Sequence, residues 1–208
     1  MTAYAHLLAD AGVLRGLLGP REVPRLWDRH LLNCAVVAPA LEPGAVVVDV
    51  GSGAGLPGLV WAVLRPDLDV VLVEPRQRRA DFLTEAVATL GLAQVQVDRT
   101  RAEDAVGRYQ ADVVTARAVA PLARLLGWTM PLLRPGGRLL AFKGRSAAAE
   151  LSATREEVSA RGGPAARLTT YGEGVLDPPT TVIEVTANAQ SAGWDPPATR
   201  ERRGGRRS

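Results

Sequence analysis

The chain has 208 residues, 47% of them hydrophobic. That is enough for one domain with a sizeable core, short for two, and too apolar for a disordered chain. No stretch of about 18 uncharged apolar residues occurs, which argues against a helical membrane span, and no basic cluster leads into an apolar segment at the N-terminus, so no secretory signal is expected. Net charge is a modest +3, but Lys143 is the only lysine and all other basic residues are arginine, whose planar guanidinium suits phosphate and base recognition.

Residues 1–43 read as a helical cap. Apolar residues recur at roughly helical spacing over residues 4–18, interrupted by Gly12 and Gly16, and Pro20 ends the segment. A second helical stretch is expected over 22–38, carrying Trp27, Leu31, Leu32 and Val36, before Pro39, Pro43 and Gly44 mark a boundary. The single cysteine, Cys34, lies in this stretch. It has no internal disulfide partner and reads as a reduced thiol of a cytoplasmic protein.

From 44 to 187 strands and helices alternate. Residues 45–50 are a dense β-branched run, the mark of a buried parallel strand. A helix is expected over 56–64, with Pro57 near its start. A second strand follows at 69–73, then an amphipathic helix at 76–90 stopped by Gly91. Strands at 94–97 and 111–115, a helix at 121–133, a Pro135-Gly136-Gly137 turn, a strand at 138–142 and a helix at 147–161 closed by Gly162-Gly163-Pro164 continue the pattern. Two strands at 166–171 and 180–186 have no helix between them, and Asp177-Pro178-Pro179 reads as a turn. Repeated βα units predict a parallel sheet with helices on both faces. The last two strands must then be antiparallel to each other, which departs from the two equal halves of the usual dinucleotide fold. Residues 188–208 end in five arginines set among glycine, serine and glutamate, and read as a disordered basic tail.

The chemistry concentrates at the first strand-to-helix turn. Gly51, Gly53 and Gly55 permit a tight turn and close approach of a ligand. Gly53, Gly55 and Gly58 also match the spacing of the dinucleotide fingerprint, a weak signal alone. Glu74, at the end of the second strand, can accept hydrogen bonds from both hydroxyls of a ribose, which serves NAD and S-adenosylmethionine equally. Asp49 is expected to face the turn, where a carboxylate repels a pyrophosphate and tolerates a ligand with a cationic centre. That asymmetry favours S-adenosylmethionine. Glu103 and Asp104 follow the third strand, where an adenine ring would rest. Arg117 stands at the mouth of the fourth strand, where a charge is costly unless paired.

The segments VVDVGSGAGLPG, VEPRQRRADFL, TRAED, TARAVAPL and FKGR, in that order and preceded by Arg29-His30-Leu31-Leu32, resemble the small-subunit ribosomal RNA methyltransferase G family, also known as glucose-inhibited division protein B. The likeness runs from about Pro24 to Ala187. It implies an α/β class I S-adenosylmethionine-dependent methyltransferase fold, Rossmann-like, here with a terminal antiparallel strand pair and the helical cap. It also implies methylation of N7 of one guanine in 16S rRNA near the decoding site. Carried over by position, the resemblance puts cofactor contacts on Gly51, Leu56, Ala102, Glu103 and Arg117, and Glu74 joins them from the ribose argument. His30, Arg78, Arg79, Lys143 and Arg145 are candidates to meet RNA. No catalytic residue and no metal are expected, because N7 carries a lone pair and no proton. The partner is 16S rRNA or the small subunit, with a monomer as the default and no membrane contact. A small-molecule methyltransferase and a non-catalytic ribosome-assembly protein are the alternatives.

Overall fold

The structure, a computed structural model, describes residues 1–159 and 165–188. One seven-stranded sheet organises it, in the order β3-β2-β1-β4-β5-β7-β6. The strands are β1 (Val46–Val50), β2 (Asp69–Val73), β3 (Val95–Asp98), β4 (Ala111–Arg117), β5 (Leu133–Lys143), β6 (Ala166–Tyr171) and β7 (Thr180–Thr186). The first five are parallel, and β7 pairs antiparallel with both β5 and β6. The parallel sheet and its antiparallel ending are as the alternation of elements predicts.

Helices α1 (Thr2–Leu7) and α2 (Leu32–Ala35) belong to the N-terminal segment, and α3 (Gly58–Leu64), α4 (Gln77–Leu90), α5 (Leu122–Thr129) and α6 (Ala147–Ser159) are the crossovers. Alternate residues of each strand feed opposite cores, as the two-residue period of a strand requires. Val47, Leu72, Val113 and Leu140 pack on one face with α3, α4 and the N-terminal segment. Val48, Val73, Val114 and Leu139 pack on the other with α5 and α6.

The N-terminal segment is fastened by side chains that donate to its backbone carbonyls. Trp61 Nε1 reaches Cys34 O at 2.9 Å, Arg65 reaches Ala38 O and Leu41 O, Arg138 reaches Ala40 O at 2.7 Å, and Thr180 reaches Asn33 O at 2.9 Å. Helix ends leave carbonyls without partners, and these donors serve them.

Three local expectations change. The N-terminal stretches are not continuous α-helices: π-helical turns span Leu8–Gly12 and Leu26–Leu31, and Pro20–Arg25 is a 3-10 helix. Pro20 and Pro24 carry no N–H, so an ordinary helical ladder cannot close there. The Pro135-Gly136-Gly137 stretch is not a turn between elements but part of β5, held by Gly136 N–H to Ala187 O at 2.9 Å and Ala187 N–H to Gly137 O at 2.8 Å. The register shifts against β4 at this point, as at a bulge. The fourth strand runs two residues further than expected, to Arg117. The expected Gly162-Gly163-Pro164 helix stop and most of the basic tail lie outside the described residues.

Candidate functional site

β1 and β4 are neighbours although β2 and β3 intervene in sequence, so the strand order reverses between them. In open α/β sheets ligands bind outside the carboxyl ends of the strands at such a point. The glycine turn sits there. Its backbone is pinned to the end of β2 by Gly51 N–H and Ser52 N–H, both donating to Val73 O at 2.8 and 3.2 Å. Gly51 has φ +69°, and a Cβ on it would lie 2.8 Å from Val119 Cγ2 in the loop leaving β4. Both the conformation and the space exclude a side chain. Gly58 opens α3 so close to the sheet that a Cβ there would lie 2.7 Å from Asp49 Oδ2.

Asp49 is fully buried. It does not face the turn as the sequence suggests: it lies beneath it, where Oδ2 accepts Gly58 N–H at 3.0 Å. Oδ1 is buried without a hydrogen-bond partner. Burial is the main reason its pKa is pushed up to about 7, and the nearby charge of Glu74 adds to the rise. A buried acceptor with unserved lone pairs is costly and rare unless something fills it. Glu74, 2% exposed, stands at the end of β2. Its Oε2 accepts Gly53 N–H and its Oε1 accepts Arg76 N–H, each at 3.0 Å, and Arg79 Nη1 is 3.8 Å away. Each carboxylate oxygen has a further lone pair available to a ligand hydroxyl.

Leu56 is half-buried at the turn, Ala102 is buried after β3, and Glu103 is exposed at the start of the short Glu103–Ala105 turn. Because β1, β2 and β3 are consecutive in the sheet, Gly51, Leu56, Glu74, Ala102 and Glu103 follow one another along a single edge. These residues fit S-adenosylmethionine. The orphaned Asp49 oxygen calls for a cationic N–H donor, and an anionic pyrophosphate would meet two carboxylates.

Arg117 sits on the far side of the turn and faces the N-terminal segment. Nη1 lies 3.3 Å from His30 O and 3.1 Å from Cys34 Sγ, and Nη2 lies 3.1 Å from Arg29 O and 3.0 Å from His30 Nδ1. His30 Nε2 is 2.8 Å from Glu22 Oε2. A guanidinium can only donate, so Nδ1 accepts, the proton sits on Nε2 and the ring is neutral. Burial lowers the pKa of His30, with the Glu22 hydrogen bond opposing. Burial also pushes the Cys34 thiol up to about 11, against the pull of Arg117. Cys34 is therefore distant from the strand ends in sequence yet in contact with one in space.

The remaining RNA candidates divide. Arg78 and Arg145 are exposed and Arg79 is half-exposed. Lys143 is committed: Nζ donates to Ala120 O and Glu150 Oε1, both at 2.9 Å. Sequence reasoning missed three residues that brace the turn or the His30 beside Arg117. Tyr4, wholly buried, donates its hydroxyl to Ala54 O at 2.6 Å; Val119 packs on Gly51; Glu22 holds His30. Tyr4 and Val119 have no local signal, since each acts across a long stretch of chain, and Glu22, eight residues before His30, belongs to no motif. Among the described residues no cluster of three His, Cys, Asp or Glu could hold a metal.

Comparison with known proteins shows the family. The model of the GidB family, rRNA small subunit methyltransferase G, matches residues 1–176. The chain is 58% identical over 183 residues to the ribosomal RNA small subunit methyltransferase G of Thermobifida fusca, covering 88% of this chain and 77% of that protein. It is 57% identical over 212 aligned positions to the protein of that name from Salinispora arenicola, covering 99% and 88%. Among solved structures, precorrin-6y C5,15-methyltransferase of Geobacter metallireducens superposes with a TM-score of 0.53 at 12% identity, over 83% of this chain and 91% of that one, a likeness of fold. The sheet is thus a Rossmann-like methyltransferase sheet, and the chain belongs to the rRNA small subunit methyltransferase G family.

Proposed function

We infer that the chain is an S-adenosylmethionine-dependent methyltransferase that modifies N7 of a guanine in small-subunit (16S) rRNA. The observation that carries the cofactor assignment is the unserved Asp49 Oδ1 beneath a glycine turn, beside Glu74. Asp49 would accept from the ligand's ammonium, Glu74 from its ribose hydroxyls, and Ala102 and Glu103 would border its adenine, with Gly51 and Leu56 as walls. When bound, the cofactor supplies a methyl group activated by a positive sulfur.

The acceptor asks little of the side chains. Guanine N7 offers a lone pair and no proton, so no base is needed to start the transfer. His30 and Cys34 agree with this: the ring is held on both nitrogens and the thiol is held protonated. Proximity and alignment then do most of the work, worth up to ~7–11 kcal/mol in favourable cases. Arg117 holds the N-terminal segment against the strand ends and shapes the entry. Arg78, Arg79 and Arg145, which are at least partly exposed, would meet phosphates. A cytoplasmic monomer with a cap over residues 1–43 completes the reading, and among the described residues no helix is long and apolar enough to cross a membrane.

The test is transfer of labelled methyl from S-adenosylmethionine to purified 16S rRNA and to small subunits, with the product mapped by mass spectrometry. N7-methylguanosine at one position is expected. Label on an exocyclic amine would overturn the choice of atom. Cofactor binding without rRNA labelling would favour a small-molecule methyltransferase, and rRNA binding without cofactor binding would favour an assembly protein.

A further inference from the structure

The loop leaving β4 touches two places at once. Val119 packs on the glycine turn. The next residues, Ala120 and Pro121, wall an open pocket completed by Lys143 at the end of β5 and by Ser146, Ala149 and Glu150 at the start of α6. The pocket therefore adjoins the cofactor edge, separated from it by one residue of the same loop.

Its chemistry is specific. Ala120, Pro121 and Ala149 give apolar walls for a flat ring. Glu150 is anchored through one oxygen only: Oε1 takes Lys143 Nζ at 2.9 Å and the Leu122 N–H. Oε2 has no partner among the described residues, and the side chain is 21% exposed. Lys143 spends its other contact on Ala120 O, tying the loop to the carboxylate. A fixed acceptor at the edge of an open, partly apolar pocket suits a planar ligand with adjacent N–H donors. Guanine has them, at N1 and N2. Adenine and cytosine set an acceptor beside their amino group, and uracil flanks its one N–H with carbonyls.

We propose that this pocket receives the target base and that Glu150 Oε2 selects guanine by accepting its N1–H and N2–H, with Lys143 positioning the carboxylate. The assignment rests on the methyltransferase function inferred above. It also bears on rate. Methylation at N7 makes the base cationic and its N1–H more acidic, so the contact to the carboxylate strengthens as transfer proceeds. An interaction that grows toward the transition state accelerates the chemical step.

The experiment uses the full chain and small subunits assembled on rRNA carrying guanine or inosine at the mapped position. Inosine keeps N7, N1–H and O6 and lacks only the N2 amino group. The wild type should use inosine ~10–100-fold less efficiently, the range expected for losing a hydrogen bond to a charged group. Glu150→Gln keeps an oxygen for Lys143 and Leu122 but turns an amide NH2 toward the base. It should lower kcat/KM on guanine by a similar factor, bring the guanine-to-inosine ratio near one, and leave S-adenosylmethionine affinity unchanged. If Glu150→Gln does not melt cooperatively, Glu150→Asp takes its place and should show an intermediate ratio. Equal use of guanine and inosine by the wild type, or an undiminished ratio in the variant, overturns the proposal. Absence of any N7 transfer by the wild type would instead overturn the methyltransferase function itself.

Discussion

Two carboxylates lie buried in the same sheet and are treated in opposite ways. Glu184 in β7 is 3% exposed. Its Oε1 accepts the Tyr171 hydroxyl at 2.5 Å, and its Oε2 accepts Arg167 at 2.7 and 3.2 Å with Arg138 4.0 Å away. Burial opposes its ionisation, but the bonds from Tyr171 and Arg167 outweigh it and hold the pKa below the ordinary value. Asp49 in β1 has one backbone N–H on Oδ2, a Ser52 hydroxyl on its own carbonyl, and an empty Oδ1. The pair teaches what separates a structural carboxylate from a binding one. Where a hydroxyl and a guanidinium hold both oxygens the group belongs to the fold; where one buried oxygen is left without any donor at the carboxyl edge, a ligand is expected to serve it.

The sharpest way to break this comparison is Gly51→Val. A branched side chain at φ +69°, with Val119 already 2.8 Å from the Cβ position, should cut cofactor affinity about 1,000-fold, ~4 kcal/mol, while circular dichroism shows a folded chain. Unchanged affinity by titration calorimetry would move the site elsewhere. Next, Glu184→Ala should cost about 3 kcal/mol in urea unfolding, since its hydrogen-bonding partners are left unpaired, with cofactor affinity intact.

Asp49→Asn should do the reverse: stability within about 1 kcal/mol of wild type and cofactor affinity down about tenfold. It should also remove a pH dependence. The folded pKa of about 7 exceeds the ordinary 3.8, so the native state holds more protons between those values. The stabilisation is complete below about pH 4 and is lost as pH rises through about 7. Cofactor-free wild type should therefore melt lower with rising pH in that window, and Asp49→Asn should show a flatter profile. Glu184 predicts the opposite slope, because its lowered pKa stabilises the fold above its ordinary value and loses that support in acid.

A modest stability loss, about 1 kcal/mol, is expected for Arg117→Ala, because its contacts are neutral acceptors on a partly exposed edge. Methyl transfer should fall further than that. Hydrogen exchange should rise over residues 26–35, where the guanidinium holds Arg29 O and His30 O. If melting and activity decline in equal proportion, Arg117 serves only the fold.

Much of the architecture was legible in the residues. The dense run at 45–50 read as a buried strand and 69–73 as a second one, Gly91 was recognisable as a helix stop and adopts the left-handed conformation expected there, and Glu74 stood out at the end of its strand. Other features were not. Pro135-Gly136-Gly137 reads as a turn, yet β4 on one side and Ala187 on the other draw it into the sheet. Arg117 looked like a lone charge at a strand mouth, and its acceptors lie more than eighty residues away towards the N-terminus.

The sequence by itself determined the order of elements, the parallel sheet with its antiparallel ending, and the family, because these follow from local periodicity, turn residues and short motifs. Only the tertiary structure decided that Asp49 lies under the turn with one oxygen unserved, that Arg117 is spent on the N-terminal segment, and that Lys143 holds Glu150 rather than standing free. Those are properties of which atoms meet, and a side chain's hydrogen-bond partners and loss of solvent are settled by packing across the chain, not by its neighbours along it.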